Sequence, residues 1–250
     1  MKWCAYVPRP PLSAFVELLW LADIEVAHAS ERLMPTGTME LVFTLNGPGA
    51  VLAGPYSRFA VLDTSKPERV IGAHFRPGGA FAFLPMPAGA LHNLDANVED
   101  VWGAGAAREV HARLGEAPTT DAKFAVFEEA LLQQARTLER GPAVTWGIRE
   151  LTRGKSVSEV TGAIGMSSRG FIDAFRRETG YSPKVFARIQ RFQRLLRRLQ
   201  NREDVDWADV AVACGYYDQP HLIRDFREFS GMSPSVYLAR RTDHFSHVPM

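Results

Sequence analysis

The sequence predicts an α+β chain. Its N-terminal half reads as a small antiparallel β barrel or sandwich with helices, and its C-terminal half as an all-α domain in which one helical module is used twice about a long helix. Three observations predict this. Short runs of β-branched and aromatic residues, separated by Gly, Pro and Asn, occupy the first hundred positions. Over residues 157–237 the chain repeats itself: Phe171 and Leu222, Phe175 and Phe226, Gly180 and Gly231, and Pro183 and Pro234 are each 51 positions apart. Charge is divided between the halves, with 12 basic against 16 acidic residues up to position 141 and 17 against 11 over 142–241. The repeated half is therefore the one suited to a polyanion.

In chain order, residues 12–20 fit either a strand or a helix, because a nearly unbroken apolar run does not separate the two periods. Residues 39–45 are rich in strand formers and end in Asn46-Gly47-Pro48-Gly49, a strong turn signal. Residues 51–53, 59–62 and 70–75 continue as short strands. Glu40, His74 and Arg76 stand on or beside these strands as candidate ligand-binding residues; the alternative is that they belong to the polar outer face of a sandwich. From residue 98 the period lengthens. Residues 98–102, 110–114 and 124–132 are helical patterns, broken at Gly115-Glu116-Ala117-Pro118, and are expected to form a dimerisation or docking element. Gly141-Pro142 is the linker signal. The expected division is 1–95 β-rich, 96–141 helical, 142–241 repeated, and 242–250 a polar tail in which His244 and His247 are disordered.

Each copy of the repeat opens with a short amphipathic helix, marked by Val157, Val160 and Ile164 in the first and by Val210 and Cys214 in the second. Gly165 and Gly215 then take the left-handed position that follows a helix. Ser167 or Ser168, and Asp218, are suitable N-caps for the next helix, where Pro220 is tolerated because first-turn amides have no intrahelical partner. That next helix carries two large apolar groups at i, i+4 and leaves its other face to solvent. Gly-x-Ser-Pro ends it and starts another helix. Helix, glycine turn, helix with a basic outer face is the helix-turn-helix pattern. Between the copies, residues 183–199 hold Val185, Ile189, Phe192, Leu196 and Leu199 at helical spacing, a rod of roughly 25 Å. A rod of that length can hold two such modules close to one DNA turn apart, about 34 Å.

The two Gly-x-Ser-Pro signatures, Phe175, Phe226 and the run Cys214-Gly215-Tyr216-Tyr217-Asp218-Gln219-Pro220-His221-Leu222-Ile223-Arg224-Asp225-Phe226 resemble the C-terminal DNA-binding domain of the AraC/XylS family of bacterial transcription regulators. The resemblance covers about the last two-fifths of the chain. Residues 34–43, 54–55 and 72–80 resemble the cupin-like N-terminal domain, a sensor or dimerisation module, that often precedes it. The resemblance implies a cytoplasmic, nucleoid-associated regulator or activator of transcription. Its implied partners are promoter or operator duplex DNA, RNA polymerase, a small-molecule effector and a second copy of the chain. It also implies that the second helix of each module enters the major groove. Carried over by position, the first copy offers Ser167, Arg169, Ile172 and Asp173 to the bases, with Arg176 and Arg177 nearer the backbone and Ser168 also among the DNA-binding residues. The second offers Asp218, Gln219, His221 and Arg224, with Arg227 beside them. Arg169 or Arg224 suits guanine and Gln219 suits adenine. The family usually has arginine where Asp173 stands; a carboxylate accepts from cytosine N4 but repels phosphate. Pro220 likewise removes a donor from a common reading position.

Other classes find little support. Two distant cysteines make no disulfide framework and fit a reducing compartment. The chain has no run of signal-peptide or membrane-span length. Gly78-Gly79 lacks the context of a phosphate loop, and His74 lacks the spaced partners of a metal site. No nucleophile constellation stands out. No metal, cofactor or enzymatic activity is expected. Arg197, Arg198 and Arg202 fit a solvated helix face. The alternative function, motivated by Asp173 and the modest positive charge, is a small-molecule binding protein with a weakened DNA-binding half.

Overall fold

The computed structural model describes residues 2–200, 204–242 and 244–250; Arg202 lies outside them. Eight strands come first: β1 (Lys2–Tyr6), β2 (Val16–Ile24), β3 (Ser30–Leu33), β4 (Glu40–Thr44), β5 (Ala50–Ala53), β6 (Ala60–Asp63), β7 (Glu68–Phe75) and β8 (Asp95–Asn97). Six of them form an antiparallel sheet in the order β1-β2-β7-β4-β5-β8. The ambiguous run at 12–20 resolves into a 3-10 turn at Leu12–Ala14 followed by β2, which buries Val16, Leu19 and Leu21. Strand wins there because β2 has a partner on both sides, β1 and β7, so long-range pairing decides what the local period left open. Trp20 lies opposite Gly72, where a Cβ would stand 2.4 Å from the indole; glycine is what lets the ring cross β7.

Helices α1 (Val98–Trp102), α2 (Ala104–Glu116) and α3 (Thr120–Gln134) close this sheet. Their Val101, Val110, Leu114, Phe124, Phe127 and Leu131 share one core with Leu41, Phe43 and Phe75 of the strands. Phe43 meets the rings of Trp102 and Phe127. The space left at the centre, between Leu41, Phe75, Phe83 and Trp102, is about 10 Å³, room for about one water molecule. This core is filled by its own side chains.

A second sheet, in which β3 lies between β6 and a last strand from the C-terminal tail, corrects the expectation of a disordered tail. Residues His247–Pro249 form β9 and pair antiparallel with β3, Val248 is fully buried, and the Met34 amide donates to the Ser246 carbonyl at 2.8 Å. The tail's polar composition reads as loop, yet it lands on the open edge of β3, whose backbone groups it satisfies. Glu31 on β3 receives two histidines, His247 Nδ1 at 2.9 Å on one oxygen and His28 Nε2 at 2.5 Å on the other. His244 stacks edge-on against His247.

The hydrogen bond from His247, reinforced by His28, holds the Glu31 carboxyl at about 2, well below its ordinary 4.5. A depressed carboxyl pKa contributes stability above the unfolded value, and that contribution disappears as pH falls from about 4.5 to about 2. Glu31→Gln is therefore expected to flatten the acid limb of stability measured by urea unfolding across pH. An acid limb identical to that of the unmodified chain would remove Glu31 from the account.

The C-terminal part is helical: α4 (Pro142–Thr152), α5 (Val157–Ala163), α6 (Ser168–Thr179), α7 (Pro183–Leu199), α8 (Trp207–Cys214), α9 (Gln219–Ser230) and α10 (Pro234–Arg240). α4, α5, α6, α8 and α9 pack about α7, whose Phe186, Ile189, Phe192, Leu195, Leu196 and Leu199 have no exposed surface, and α10 packs on α9. α7 begins where the sequence said, capped by Ser182 with Pro183 in its first turn. The chain between β3 and β4 lies along the same helix: Gln193 Nε2 donates to the Pro35 carbonyl at 2.6 Å, and Met34 is buried in the helical core. No helix among the described residues is long and apolar enough to cross a membrane.

Candidate nucleic-acid interface

The repeat read from spacing recurs in hydrogen bonds. α6 and α9 have the same length and start 51 residues apart, capped by Ser167 Oγ, which accepts from the Gly170 amide at 3.1 Å, and by Asp218 Oδ1, which accepts from the His221 amide at 2.7 Å. Both end at a left-handed glycine, Gly180 at φ 80° and Gly231 at φ 68°. In both, a hydroxyl four residues after the buried Phe175 or Phe226 bonds back into the helix: Thr179 Oγ1 donates to Phe175 O at 2.7 Å, and Ser230 Oγ to Phe226 O at 2.6 Å. The turns before them use Gly165 at φ 70° and Gly215 at φ 85°. Phe171, Phe175, Leu222 and Phe226 are fully buried against α7 and its neighbours, so each second helix turns one fixed face outward.

On α6 that face carries Ser168, Arg169, Ile172, Asp173 and Arg176, all exposed. Arg169 and Asp173 face each other at 4.0 Å with side chains 95% and 73% exposed; such a pair is worth little in water and leaves both groups available. Arg177, also exposed, lies at the seam with the N-terminal part, its guanidinium 6.0 Å from the Phe81 ring and 3.8 Å from Glu178. On α9 the outward face carries Gln219, Arg224 and Arg227. Three further predicted residues are occupied inside the module. Ser167 and Asp218 spend a side-chain oxygen on their caps. His221 is only partly exposed: its ring stands edge-on to Tyr216 at 5.3 Å, its Nδ1 accepts from the Tyr217 amide at 3.4 Å, and its Nε2 lies 3.4 Å from Arg191.

Sequence reasoning passed over two features. Tyr217, 90% exposed, stands just ahead of the α9 cap on the reading side; the signal was a pair of tyrosines of which only Tyr216 enters the core. The second is an ionic tie between α9 and α7. Asp225, buried, receives Arg188 Nη2 at 2.8 Å and Arg191 Nη2 at 3.1 Å, while Glu228 receives Arg188 as well. Glu228 first and then Asp225 hold the Arg188 guanidinium well above its usual range. The counterpart of Asp225 in α6, 51 residues earlier, is Ala174. α6 therefore lacks this tie.

The candidate ligand residues divide. Glu40 and His74 are directly opposed on β4 and β7, with His74 Nδ1 2.8 Å from Glu40 Oε1 and His74 Nε2 3.4 Å from the Thr38 hydroxyl. Burial opposes protonation of His74, but Glu40 outweighs it and the pKa is raised. Arg76 is elsewhere: its Nε donates to the Ser13 carbonyl at 2.8 Å. Glu40, Thr36, Thr38 and Tyr56 border a crevice of about 30 Å³ beside the segment that meets α7. Burial, with Asp95, pushes the Tyr56 phenol up to about 12. Among the described residues no group of three or more His, Cys, Asp or Glu side chains is placed to hold a metal ion.

Residues 160–240 match the family model of a helix-turn-helix domain, and residues 5–97 match that of a domain of unknown function, DUF6597. No curated protein matches the chain. Among solved structures, ToxT from Vibrio cholerae is similar at 8% identity over 88% of this chain and 93% of that one, with a TM-score of 0.39. ToxT from the same organism bound to (E)-4-(8-methylnaphthalen-1-yl)but-3-enoic acid is similar at 10% identity over 88% and 94%, with a TM-score of 0.42. Its unsaturated-fatty-acid-bound form is similar at 10% identity over 90% and 90%, with a TM-score of 0.38. Likeness at these scores supports no inference; the doubled motif and the two family matches do. Residues 160–240 are a helix-turn-helix domain of the AraC type, set behind a DUF6597 domain over residues 5–97.

Proposed function

We propose that the chain is a one-component transcription regulator whose C-terminal domain reads an operator and whose N-terminal domain senses a small molecule or pairs two copies of the chain. One observation carries the reading: α6 and α9 present matched polar faces to solvent at their N-terminal halves, while their C-terminal ends rest against the N-terminal domain. In this reading Arg169, Ile172, Asp173, Gln219 and Arg224 face base edges. Ser168, Arg176, Arg177 and Arg227 hold phosphates, and Ser167, Asp218 and His221 fix the turns. RNA polymerase and a second copy of the chain are its protein partners, and it works in the cytoplasm on the nucleoid. An effector would enter at the crevice beside Glu40, which must widen from about 30 Å³ to admit it. It would act by shifting the population of domain arrangements, by no more than its differential affinity for them.

The second reading, a small-molecule binding protein with a weakened DNA-binding half, is favoured by the Arg169–Asp173 pair, which offsets charge on the first reader. Fluorescence anisotropy with promoter duplexes over a salt series separates the two. A regulator gives a log K against log salt slope of about −0.9 per phosphate neutralised, and a specific site at least ~10³ tighter than random duplex. Binding without sequence preference, even at low salt, supports the second reading.

A further inference from the structure

One loop of the N-terminal domain touches both readers at equivalent positions. Residues 54–59 join β5 to β6. Pro55 lies against the glycine that ends α6, 2.2 Å from where a Cβ on Gly180 would stand. The next residue, Tyr56, offers its carbonyl to the buried Tyr181 hydroxyl at 2.9 Å. Ser57 Oγ lies 3.1 Å from His92 Nε2, and His92 Nδ1 donates to the Gly180 carbonyl at 3.1 Å. The carbonyl only accepts, which fixes the proton on Nδ1 and leaves Nε2 to accept from Ser57. Two residues further on, Phe59 lies 2.5 Å from where a Cβ on Gly231 would stand, at the end of α9. Arg32 stacks over Phe59 at 4.6 Å and donates from Nη1 to the Ser230 carbonyl at 3.0 Å. The two seats thus lie 51 residues apart in the repeat and five residues or fewer apart in the loop.

The readers are also joined through α7, but unequally. α9 is tied to α7 by Arg188 and Arg191 on Asp225, whereas α6 has Ala174 at the same place. α6 takes its remaining restraint from the N-terminal domain, where Gly89 packs on the Arg176 backbone and Arg177 on Phe81. We infer that the 54–59 loop is a spacing gauge: by seating the C-terminal ends of both readers it sets their separation and angle, and hence the half-site spacing that the protein accepts on DNA. The same loop borders the crevice beside Glu40, through Gly54 and Tyr56, so a change there alters the gauge. This rests on the regulator reading given above.

The test uses the full chain and duplexes carrying both half-sites at the preferred spacing or with one base pair added or removed, plus a duplex with a single half-site. One base pair turns a half-site by about a tenth of a helical turn, so the unmodified chain is expected to bind the altered spacings roughly tenfold more weakly. Two variants open the seats: His92→Ala with Tyr181→Phe at the first, and Arg32→Ala with Phe59→Ala at the second. In each, discrimination among spacings should fall to about threefold or less while affinity for the single half-site stays unchanged. Undiminished discrimination in both variants overturns the inference and leaves α7 as the sole spacer. Should a double variant lose single-site binding, Tyr181→Phe alone decides, since it removes one hydrogen bond and keeps the ring. If the unmodified chain recognises no specific site, the regulator reading itself fails and the gauge with it.

Discussion

Phe226→Ala is expected to destabilise the helical domain by about 3–5 kcal/mol, the cost of removing a buried aromatic side chain and leaving its cavity. The ring has no exposed surface and sits between Phe192 of α7 at 5.2 Å and Tyr237 of α10 at 5.4 Å. Phe192 in turn meets Phe229 at 5.2 Å, so four aromatic residues from three helices share one contact. α9 is also tied to α7 beside this ring, where Asp225 accepts from Arg188 and Arg191, which limits collapse of the helix into the space. Natural domains are stable by about 5–15 kcal/mol, so a loss of this size consumes much of the total. Urea unfolding followed by circular dichroism reads it as a shift in midpoint at constant slope. A change under about 1 kcal/mol would mean that α9 is not packed on α7 as described.

The equivalent position, Phe175, is as deeply buried, between Phe171 at 5.5 Å and Phe186 at 5.4 Å. This parallel between the copies was legible in the sequence for a physical reason. Caps, left-handed glycines and i, i+4 apolar pairs act over four or five residues, so Ser167, Gly180, the Ser182-Pro183 start of α7 and the span of that helix can be read without knowing what they pack against. β3 and β9 could not be read that way. Their residues 30–33 and 247–249 carry no strand period; they are strands because each supplies the other's missing edge across more than 200 positions. Separation in sequence, 34 to 37 positions, likewise hid the tie from Arg188 and Arg191 to Asp225, and a longer one hid the seating of Gly180 and Gly231 on residues 54–59; local spacing encodes neither. Candidate reading residues were legible as a group because they are what a helix leaves outside once its two phenylalanines or their counterparts are placed. Which of them are occupied was not, since the engagement of His221 with Tyr216 and Arg191 depends on α7.

Arg224 and Arg169 present opposite cases on otherwise matched helices, and replacing them should give unequal losses. Arg224 is exposed on α9, and among the described residues no carboxylate pairs with it. A bidentate contact to guanine O6 and N7 is worth about 1–3 kcal/mol of discrimination, so Arg224→Ala should weaken specific binding by roughly 5- to 150-fold. The salt slope should change by less than about one unit, because a base contact releases no phosphate counterion. Arg169 has the Asp173 carboxylate 4.0 Å away, which offsets its charge and repels the phosphates of a bound duplex. Its replacement should cost less, and Asp173→Ala should raise affinity for specific and random duplex alike. Equal losses at Arg224 and Arg169, or a loss at Arg224 that follows salt as a phosphate contact does, would contradict base reading by α9. In that case the second helix contributes anchorage, and sequence preference must come from Gln219, from the exposed ring of Tyr217 or from the first reader. The same titrations with Gln219→Ala and Tyr217→Ala distinguish these, because only a base contact changes the ratio of specific to random binding.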